Sequence, residues 1–216
     1  MSFSAVILAG GKSSRMGCDK ALLEVDGQPL LARQIQLVRE VGAEEVFISG
    51  RADTDYAVFN CPVLRDRLTD VGPLAGIEAA LNATTSPLLL VLAVDMPEMS
   101  AVFLQRLASQ CAGGCGVIPC VGGFIEPLAA FFPKAASSLL AELGAPAPLP
   151  AEPSGQQPAG VPALPERPAK TPGAKLFAER CVASGLATFV DFPGTDAHFF
   201  ANWNSPADVA SISAVA

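Results

Sequence analysis

Short apolar runs rich in valine, isoleucine and leucine alternate along the chain with helix-length amphipathic stretches. Ser4–Leu8 reads as a buried strand. Pro29–Val41 reads as a helix with Leu31, Ile35 and Val38 on one face, Pro29 near its first turn and Gly42 at its end. Between them, Asp26-Gly27 carries the signature of a tight hairpin turn after Leu22–Val25. Glu45–Ser49 and Cys61–Leu64 are the next expected strands, followed by a helix over Leu74–Ala83. Leu88–Ala93 is the most apolar strand and is expected at the centre of a sheet, buried on both faces. Ser100–Gln110 reads as helix, and Gly116–Pro119 and Leu128–Phe132 as strands. Ser205 and Pro206 open a last helix. Alternation of this kind predicts βαβ units: an α/β fold with a mostly parallel sheet flanked by helices.

One segment breaks the rhythm. Nine prolines fall between Ala145 and Gly173, with almost no periodicity and few large apolar residues. Such a stretch buries too little surface to offset its ordering entropy, and its X-Pro bonds block helix and ladder alike. Too little chain follows it for a second core, so residues 1–216 read as one domain with 145–173 as a flexible insertion. Half the residues are apolar and 16% charged, which excludes global disorder. A net charge of −7 argues against nucleic acid or an anionic membrane as partner. No apolar run approaches the roughly 20 residues a bilayer requires. No positive charge precedes the apolar Ala5–Ala9, so the start does not resemble a signal peptide, and a cytoplasmic location is expected.

Cysteine and histidine narrow the chemistry. The six cysteines include no CxxC pair, and Cys111, Cys115 and Cys120 have spacings that fit no common zinc knuckle. Reduced thiols packed near a strand are the plainer reading of that trio. With His198 as the single histidine, chemistry is left to carboxylates, cationic side chains, backbone amides and a metal.

The informative stretch runs from Leu8 to Lys20. A buried strand empties through Leu8 and Ala9 into Gly10 and Gly11, then small polar residues, Arg15 and Lys20. Paired glycines let backbone N–H groups converge on an anion. Arg15 offers a planar fork for phosphate oxygens and Lys20 a compact point charge. The spacing matches neither a Walker A loop nor GxGxxG. Glycine content alone is equally compatible with an ordinary turn bearing two solvated cations. Asp95 follows the central strand, at the edge where open α/β sheets bind ligands, and is a hard oxygen donor suited to Mg²⁺. Read alone, it is also a turn former or a helix N-terminal acid. Ser49 and Asp66, each just past a strand, are expected along the same rim. Gly72, Pro73, Leu74, Ala75 and Gly76 form a tight turn opening a helix, small enough for a flat ring to approach the backbone. Glu126 places an acid at the start of a strand facing the cleft. Asn202 and Asn204 precede the last helix, with capping as their plain reading. Asp19 and Asp26 are given no functional role.

At these residues a family resemblance emerges. LAGGKSSRMGCDK (Leu8–Lys20) resembles the opening signature of the molybdenum cofactor guanylyltransferases, and GPLAG (Gly72–Gly76) resembles their next motif. Asp95-Met96-Pro97 is similar to their metal-binding acidic motif, and Glu126-Pro127-Leu128 to their EPL element. FANWNSPAD (Phe200–Asp208) is similar to their closing segment. The ordered set spans nearly the whole chain outside the proline-rich insertion. Ser49 stands where the family often has asparagine, and Val94 where cysteine commonly precedes the acid.

The resemblance implies a Rossmann-like nucleotidyltransferase that moves GMP from Mg²⁺-GTP to the terminal phosphate of molybdopterin, releasing pyrophosphate. It implies Arg15, Lys20 and Asp95 as catalytic residues, with Asp95 as metal ligand. Leu8, Ala9, Gly10, Lys20, Asp66 and Asp95 become the GTP and metal contacts, joined by Gly11, Ser49 and Gly72–Gly76. Glu126, Asn202 and Asn204 become candidates for the acceptor site. Other cofactor-biosynthesis or molybdoenzyme-maturation proteins are the partner class implied. The rivals are a molybdopterin cytidylyltransferase, another sugar- or alcohol-phosphate nucleotidyltransferase, and a non-catalytic nucleotide-binding regulatory module. The LAGG opening favours guanylyl over cytidylyl transfer, and retention of Arg15, Lys20 and Asp95 favours catalysis.

Overall fold

A computed structural model describes residues 1–10, 19–51, 54–64, 72–144 and 173–203. The proline-rich stretch 145–172 and the Ser205 helix lie outside the described residues. In chain order, β1 is Phe3–Leu8, β2 Glu24–Val25, β3 Gln28–Pro29, α1 Leu30–Val41, β4 Val46–Ser49 and β5 Val63–Leu64. Then come α2 Pro73–Ala83, β6 Leu88–Ala93, α3 Ala101–Ser109, β7 Gly116–Val121, β8 Phe124–Ile125 and β9 Ala129–Pro133. α4 Ser137–Gly144, α5 Ala174–Ala183 and β10 Ala187–Phe192 complete the set. The main sheet runs β10-β7-β9-β6-β1-β4-β5, with β8 paired to the end of β7 and β2-β3 forming a separate hairpin.

Every residue of β1 and β6 is buried, because helices cover both faces of the sheet. The side chains divide by parity. Phe3, Ala5 and Ile7 of β1, with Leu88, Leu90 and Leu92 of β6, pack under Leu31, Ile35 and Val38 of α1 and Phe103, Leu104 and Leu107 of α3. Val6 and Leu8, with Leu89 and Val91, pack under Ile77 and Leu81 of α2 and Phe177 of α5. This two-sided burial is why the strands read as continuous apolar runs. α4 and α5, which flank residues 145–172, cover the same face of one sheet, where Phe177 lies 5.0 Å from Phe132 between ring centroids.

The strands β1, β4, β5, β6, β7 and β10 all point one way, and β9 opposes its neighbours β6 and β7. The reversal follows from chain length: too few residues separate Val121 from Ala129 for a parallel crossover, which takes a dozen or more. Several boundaries differ from the sequence expectation. Pro29 pairs with Glu24 in the β2-β3 hairpin and α1 begins one residue later, so the Asp26-Gly27 turn closes directly onto the helix. β5 is confined to Val63–Leu64, since Pro62 offers no N–H to the ladder. β7 runs on to Val121, and β9 covers Ala129–Pro133, leaving Leu128 outside it. α3 begins at Ala101 because Ser100 caps it, its hydroxyl accepting from the Phe103 N–H at 3.2 Å. β8, α4, α5 and β10 were not anticipated.

Candidate active site

Six of the described strands deliver their carboxyl ends to one rim of the sheet, and the chemistry-bearing residues collect there. At the exit of β1, the N–H groups of Ala9 and Gly10 both donate to the Ser49 carbonyl, at 2.7 and 3.0 Å. The shared acceptor fixes the direction in which the chain leaves the sheet. Residues 11–18, and with them Gly11 and Arg15, lie outside the described residues, as do Asp66 and Asn204. The chain returns at Asp19, and the short 3-10 turn Lys20–Leu22 carries Lys20 back to the rim. There its ammonium lies 3.5 Å from Asp95 Oδ2, with both side chains mostly but not fully covered.

Asp95 sits on a turn held from three sides. The Val94 N–H donates to the Leu8 carbonyl at 3.2 Å, extending the β1–β6 ladder to the rim. The Trp203 N–H donates to the Asp95 carbonyl at 3.0 Å, so the chain after β10 folds back onto the acid. Gln34, buried on α1, donates its amide to the Met96 carbonyl at 2.7 Å. Hydrogen bonds from three distant parts of the chain therefore fix the backbone on either side of one carboxylate. That is the preorganisation a charge-handling site requires.

The helix α2 opens at the same rim. Gly72 has φ 67° and ψ −151°, a conformation essentially confined to glycine, and Pro73 occupies the first helical position. Gly72 and Pro73 are exposed, whereas Leu74, Ala75 and Gly76 are buried. Gly76 has its own packing reason: a Cβ there would fall 2.2 Å from Ser49 Oγ and 3.0 Å from Leu8 Cδ2. Ser49 is itself buried, so the expected rim hydroxyl lies against α2 while its carbonyl organises the β1 exit. Glu126 follows the β7-β8 hairpin on this edge, its N–H donating to the Pro119 carbonyl at 3.0 Å. Burial pushes its carboxyl above the usual carboxylate range. Asn202 is exposed and directly precedes Trp203, which places it beside the Asp95 turn.

The structure thus brings together Leu8, Ala9, Gly10, Lys20, Ser49, Gly72, Pro73 and Asp95, with Glu126 and Asn202 on the same edge. It also adds residues that the sequence reading passed over. Gln34 was the polar position on the apolar stripe of α1, a signal available in the periodicity. Asp19, Thr54 and Tyr56 form a hydrogen-bonded group beside Lys20, with no local sequence signal beyond Tyr56 being the single tyrosine. Among the described residues no group of three or more His, Cys, Asp or Glu side chains gathers as a metal site would need. The Cys111 thiol is pushed up to about 12 by burial and by nearby Cys115, so it packs as a neutral group at physiological pH.

A carboxylate and an ammonium held together at a glycine-lined strand exit suit phosphate chemistry, and comparison with known proteins agrees. Residues 5–151 match the family model described as the MobA-like NTP transferase domain. The chain belongs to this family. A protein named probable molybdenum cofactor guanylyltransferase, from Opitutus terrae, is 40% identical over 135 residues, covering 61% of this chain and 67% of the relative. The molybdenum cofactor guanylyltransferase of Xanthomonas euvesicatoria is 41% identical over 114 residues, covering 52% of this chain and 57% of the relative. The chain therefore aligns with between about half and two-thirds of the length of these two relatives. The crystal structure of 2-C-methyl-D-erythritol 4-phosphate cytidylyltransferase from Thermus thermophilus has the same fold, with a TM-score of 0.62 at 17% identity. That likeness covers 100% of this chain and 98% of the other. No described helix is long and apolar enough to cross a membrane.

Proposed function

We propose that the protein transfers GMP from Mg²⁺-GTP to the terminal phosphate of molybdopterin in molybdenum cofactor biosynthesis, giving the guanine dinucleotide and pyrophosphate. The Lys20–Asp95 pair at the carboxyl rim, beside the Gly10 strand exit, carries the reading. The acceptor is a phosphate, already charged at neutral pH, so no protein nucleophile or general base is needed. A phosphate oxygen forms the new bond to the α-phosphorus as the bond to the bridging oxygen of pyrophosphate breaks. Positioning and charge neutralisation then account for catalysis.

In this assignment Ala9, Gly10 and Gly11 line the phosphate path, the Ala9 and Gly10 N–H groups themselves being taken by the Ser49 carbonyl, and Arg15 and Lys20 neutralise the charge that shifts toward pyrophosphate. Asp95 suits a divalent ion by its chemistry: one hard, partly exposed oxygen donor, with phosphate oxygens and water left to complete an octahedral shell. Asp66 is assigned to the nucleotide. A bound Mg²⁺ would supply Lewis-acid polarisation of the α-phosphate. Gly72 and Pro73, exposed at the head of α2, are assigned to the base side. Glu126, Asn202 and Asn204 are assigned to the acceptor. The activity is placed in the cytoplasm, where triphosphates are available, and residues 145–173 are read as an insertion within a single domain.

Pyrophosphate release, measured with each of GTP, CTP, ATP and UTP, with and without molybdopterin, tests the assignment. Release should require both GTP and the acceptor. A site built for the guanine edge leaves its own polar groups unpaired against cytosine, and discrimination can reach about 10⁴–10⁵. Preference for CTP would transfer the function to cytidylyl transfer on the same fold. Nucleotide binding without release would leave a binding module.

A further inference from the structure

Lys20 is carried on the short 3-10 turn Lys20–Leu22, yet the reaction requires its ammonium at one place on the rim. The group that sets that place is visible in the structure and consists of Asp19, Thr54 and Tyr56. Asp19 uses its two carboxylate oxygens on different parts of the chain. Oδ1 accepts from the Ala21 N–H at 3.0 Å, capping the turn that carries Lys20. Oδ2 accepts from the Tyr56 hydroxyl at 2.7 Å and from the Thr54 hydroxyl at 3.0 Å.

Tyr56 is in turn fixed from below. Its ring is 1% exposed and lies directly on Gly50, where a Cβ would come within 2.2 Å of Cε2. Its oxygen accepts from the Arg51 N–H at 3.3 Å. Gly50 follows β4 without a gap, so the ring rests on the end of the strand whose Ser49 carbonyl receives the Ala9 and Gly10 amides. One strand end therefore anchors both Gly10, through Ser49, and Lys20, through Gly50, Tyr56 and Asp19. Burial and the neighbouring Asp19 carboxylate both push the Tyr56 hydroxyl upward from its ordinary value, which keeps it a donor throughout the neutral range.

We propose that Asp19 and Tyr56, with Thr54 as second donor, are positioning residues that hold Lys20 where its ammonium meets the nucleotide phosphates. The proposal rests on the reading of Lys20 as a phosphate ligand, but not on the identity of the base or the acceptor. Its test therefore uses inorganic triphosphate with Mg²⁺, titrated by calorimetry into the wild-type protein, Tyr56→Phe, Lys20→Ala and the double variant. Tyr56→Phe keeps the ring on Gly50 and removes only the hydroxyl.

Lys20→Ala should weaken triphosphate binding about 30-fold and Tyr56→Phe about 5-fold, while the double variant should be no weaker than Lys20→Ala alone. Thr54→Val should show the same pattern with about a 2-fold effect, and replaces Tyr56→Phe in the cycle if that variant folds poorly. A structural role for Tyr56 would lower the melting temperature equally in both backgrounds without this non-additivity. Three results overturn the proposal: multiplicative effects in the double variant, unchanged binding in folded Tyr56→Phe, or unchanged binding in Lys20→Ala. GMP transfer by wild type alongside a multiplicative cycle would remove the positioning role and leave the function. A non-additive cycle without GMP transfer would do the reverse.

Discussion

The two ends of the sheet are built from the same apolar strands and handle polar groups in opposite ways. At the amino end, Ser4 of β1 is fully buried and its hydroxyl accepts from Thr84 at 2.8 Å. The Ser4 oxygen also lies 2.9 Å from Glu45 Oε2 and 3.0 Å from Ser86 Oγ. Lys134 closes that side by donating to the Thr84 carbonyl at 2.7 Å. At this end the polar groups are used up on one another. At the carboxyl end the hydrogen bonds around Asp95 and the β1 exit are backbone-directed, through the Leu8, Ser49, Asp95 and Met96 carbonyls, with the Asp19–Thr54–Tyr56 group as the side-chain exception. They leave the Asp95 and Lys20 side chains paired but partly open to solvent. A network satisfied internally stabilises a fold, whereas a scaffold fixed through its backbone leaves charges able to exchange partners with a substrate. Substitutions at the two rims should therefore separate stability from activity.

The largest effect is expected at Asp95. Asp95→Asn keeps the shape of the turn, whose carbonyl still receives the Trp203 N–H, and removes the charge. Turnover should fall by about two orders of magnitude or more, the equivalent of several kcal/mol of lost charge stabilisation, with the melting temperature nearly unchanged. Steady-state pyrophosphate release and a thermal melt on the same preparation check both halves. Next in size are the cations. Lys20→Ala and Arg15→Ala should each lower kcat/KM by about ten- to a hundredfold, and Arg15→Lys should recover only part of the loss because the bidentate fork is gone. Full activity in either alanine variant would remove that side chain from the phosphate assignment.

The contrast between the rims also explains what the sequence disclosed. Strands buried on both faces announce themselves, and Leu88–Ala93 was found to the residue because no position in it meets water. β10 escaped because it is an edge strand with mostly exposed or half-buried side chains, so Ala187–Phe192 carries neither an apolar run nor a clean alternation. The reversal of β9 is a property of connection length, which composition does not reveal. The β7-β8 hairpin was missed although its signal was present: Gly122-Gly123, at φ 57° and 86°, is a favoured two-residue turn. Of the site, Lys20, Asp95 and the Gly10 strand exit were legible because glycines, a cation and an acid at strand ends stand out from apolar runs. Asp19–Tyr56 and Gln34–Met96 were not, since they join positions 37 and 62 residues apart through tertiary structure.

A smaller effect, confined to stability, is expected at the amino rim. Ser4→Ala leaves the buried Thr84 hydroxyl without its acceptor and removes a donor from Glu45. The protein should lose about 1–3 kcal/mol of folding free energy, read from the denaturant midpoint. Turnover per folded molecule should stay at the wild-type value, because the altered group lies a full strand length from Asp95. A fall in kcat at unchanged folded fraction would show that the two rims are coupled through β1.

The smallest effect distinguishes the rims by the sign of a pH dependence. Glu45 at the amino rim is held below its ordinary value of 4.5, first by the Thr85 N–H and then by the Ser4 hydroxyl. Its ionised form is favoured by folding, so the stability it contributes is present above about pH 4.5 and is lost as pH falls through the lowered folded value. Glu126 at the carboxyl rim is raised above the same ordinary value by burial. Folding favours its protonated form, so its contribution is present below about pH 4.5 and is lost as pH rises through the raised folded value. Glu45→Gln should therefore melt below wild type at neutral pH, with the gap closing in acid. Glu126→Gln should melt at or above wild type at neutral pH, with any advantage disappearing in acid. Melting curves of both variants across about pH 3.5 to 7.5 read the two signs directly. A Glu126→Gln protein that is less stable than wild type at neutral pH would mean that a cation pairs with this carboxylate at the rim. Glu126 would then belong with Asp95 among the charged groups of this rim rather than being a half-buried acid whose neutral form is favoured by partial burial.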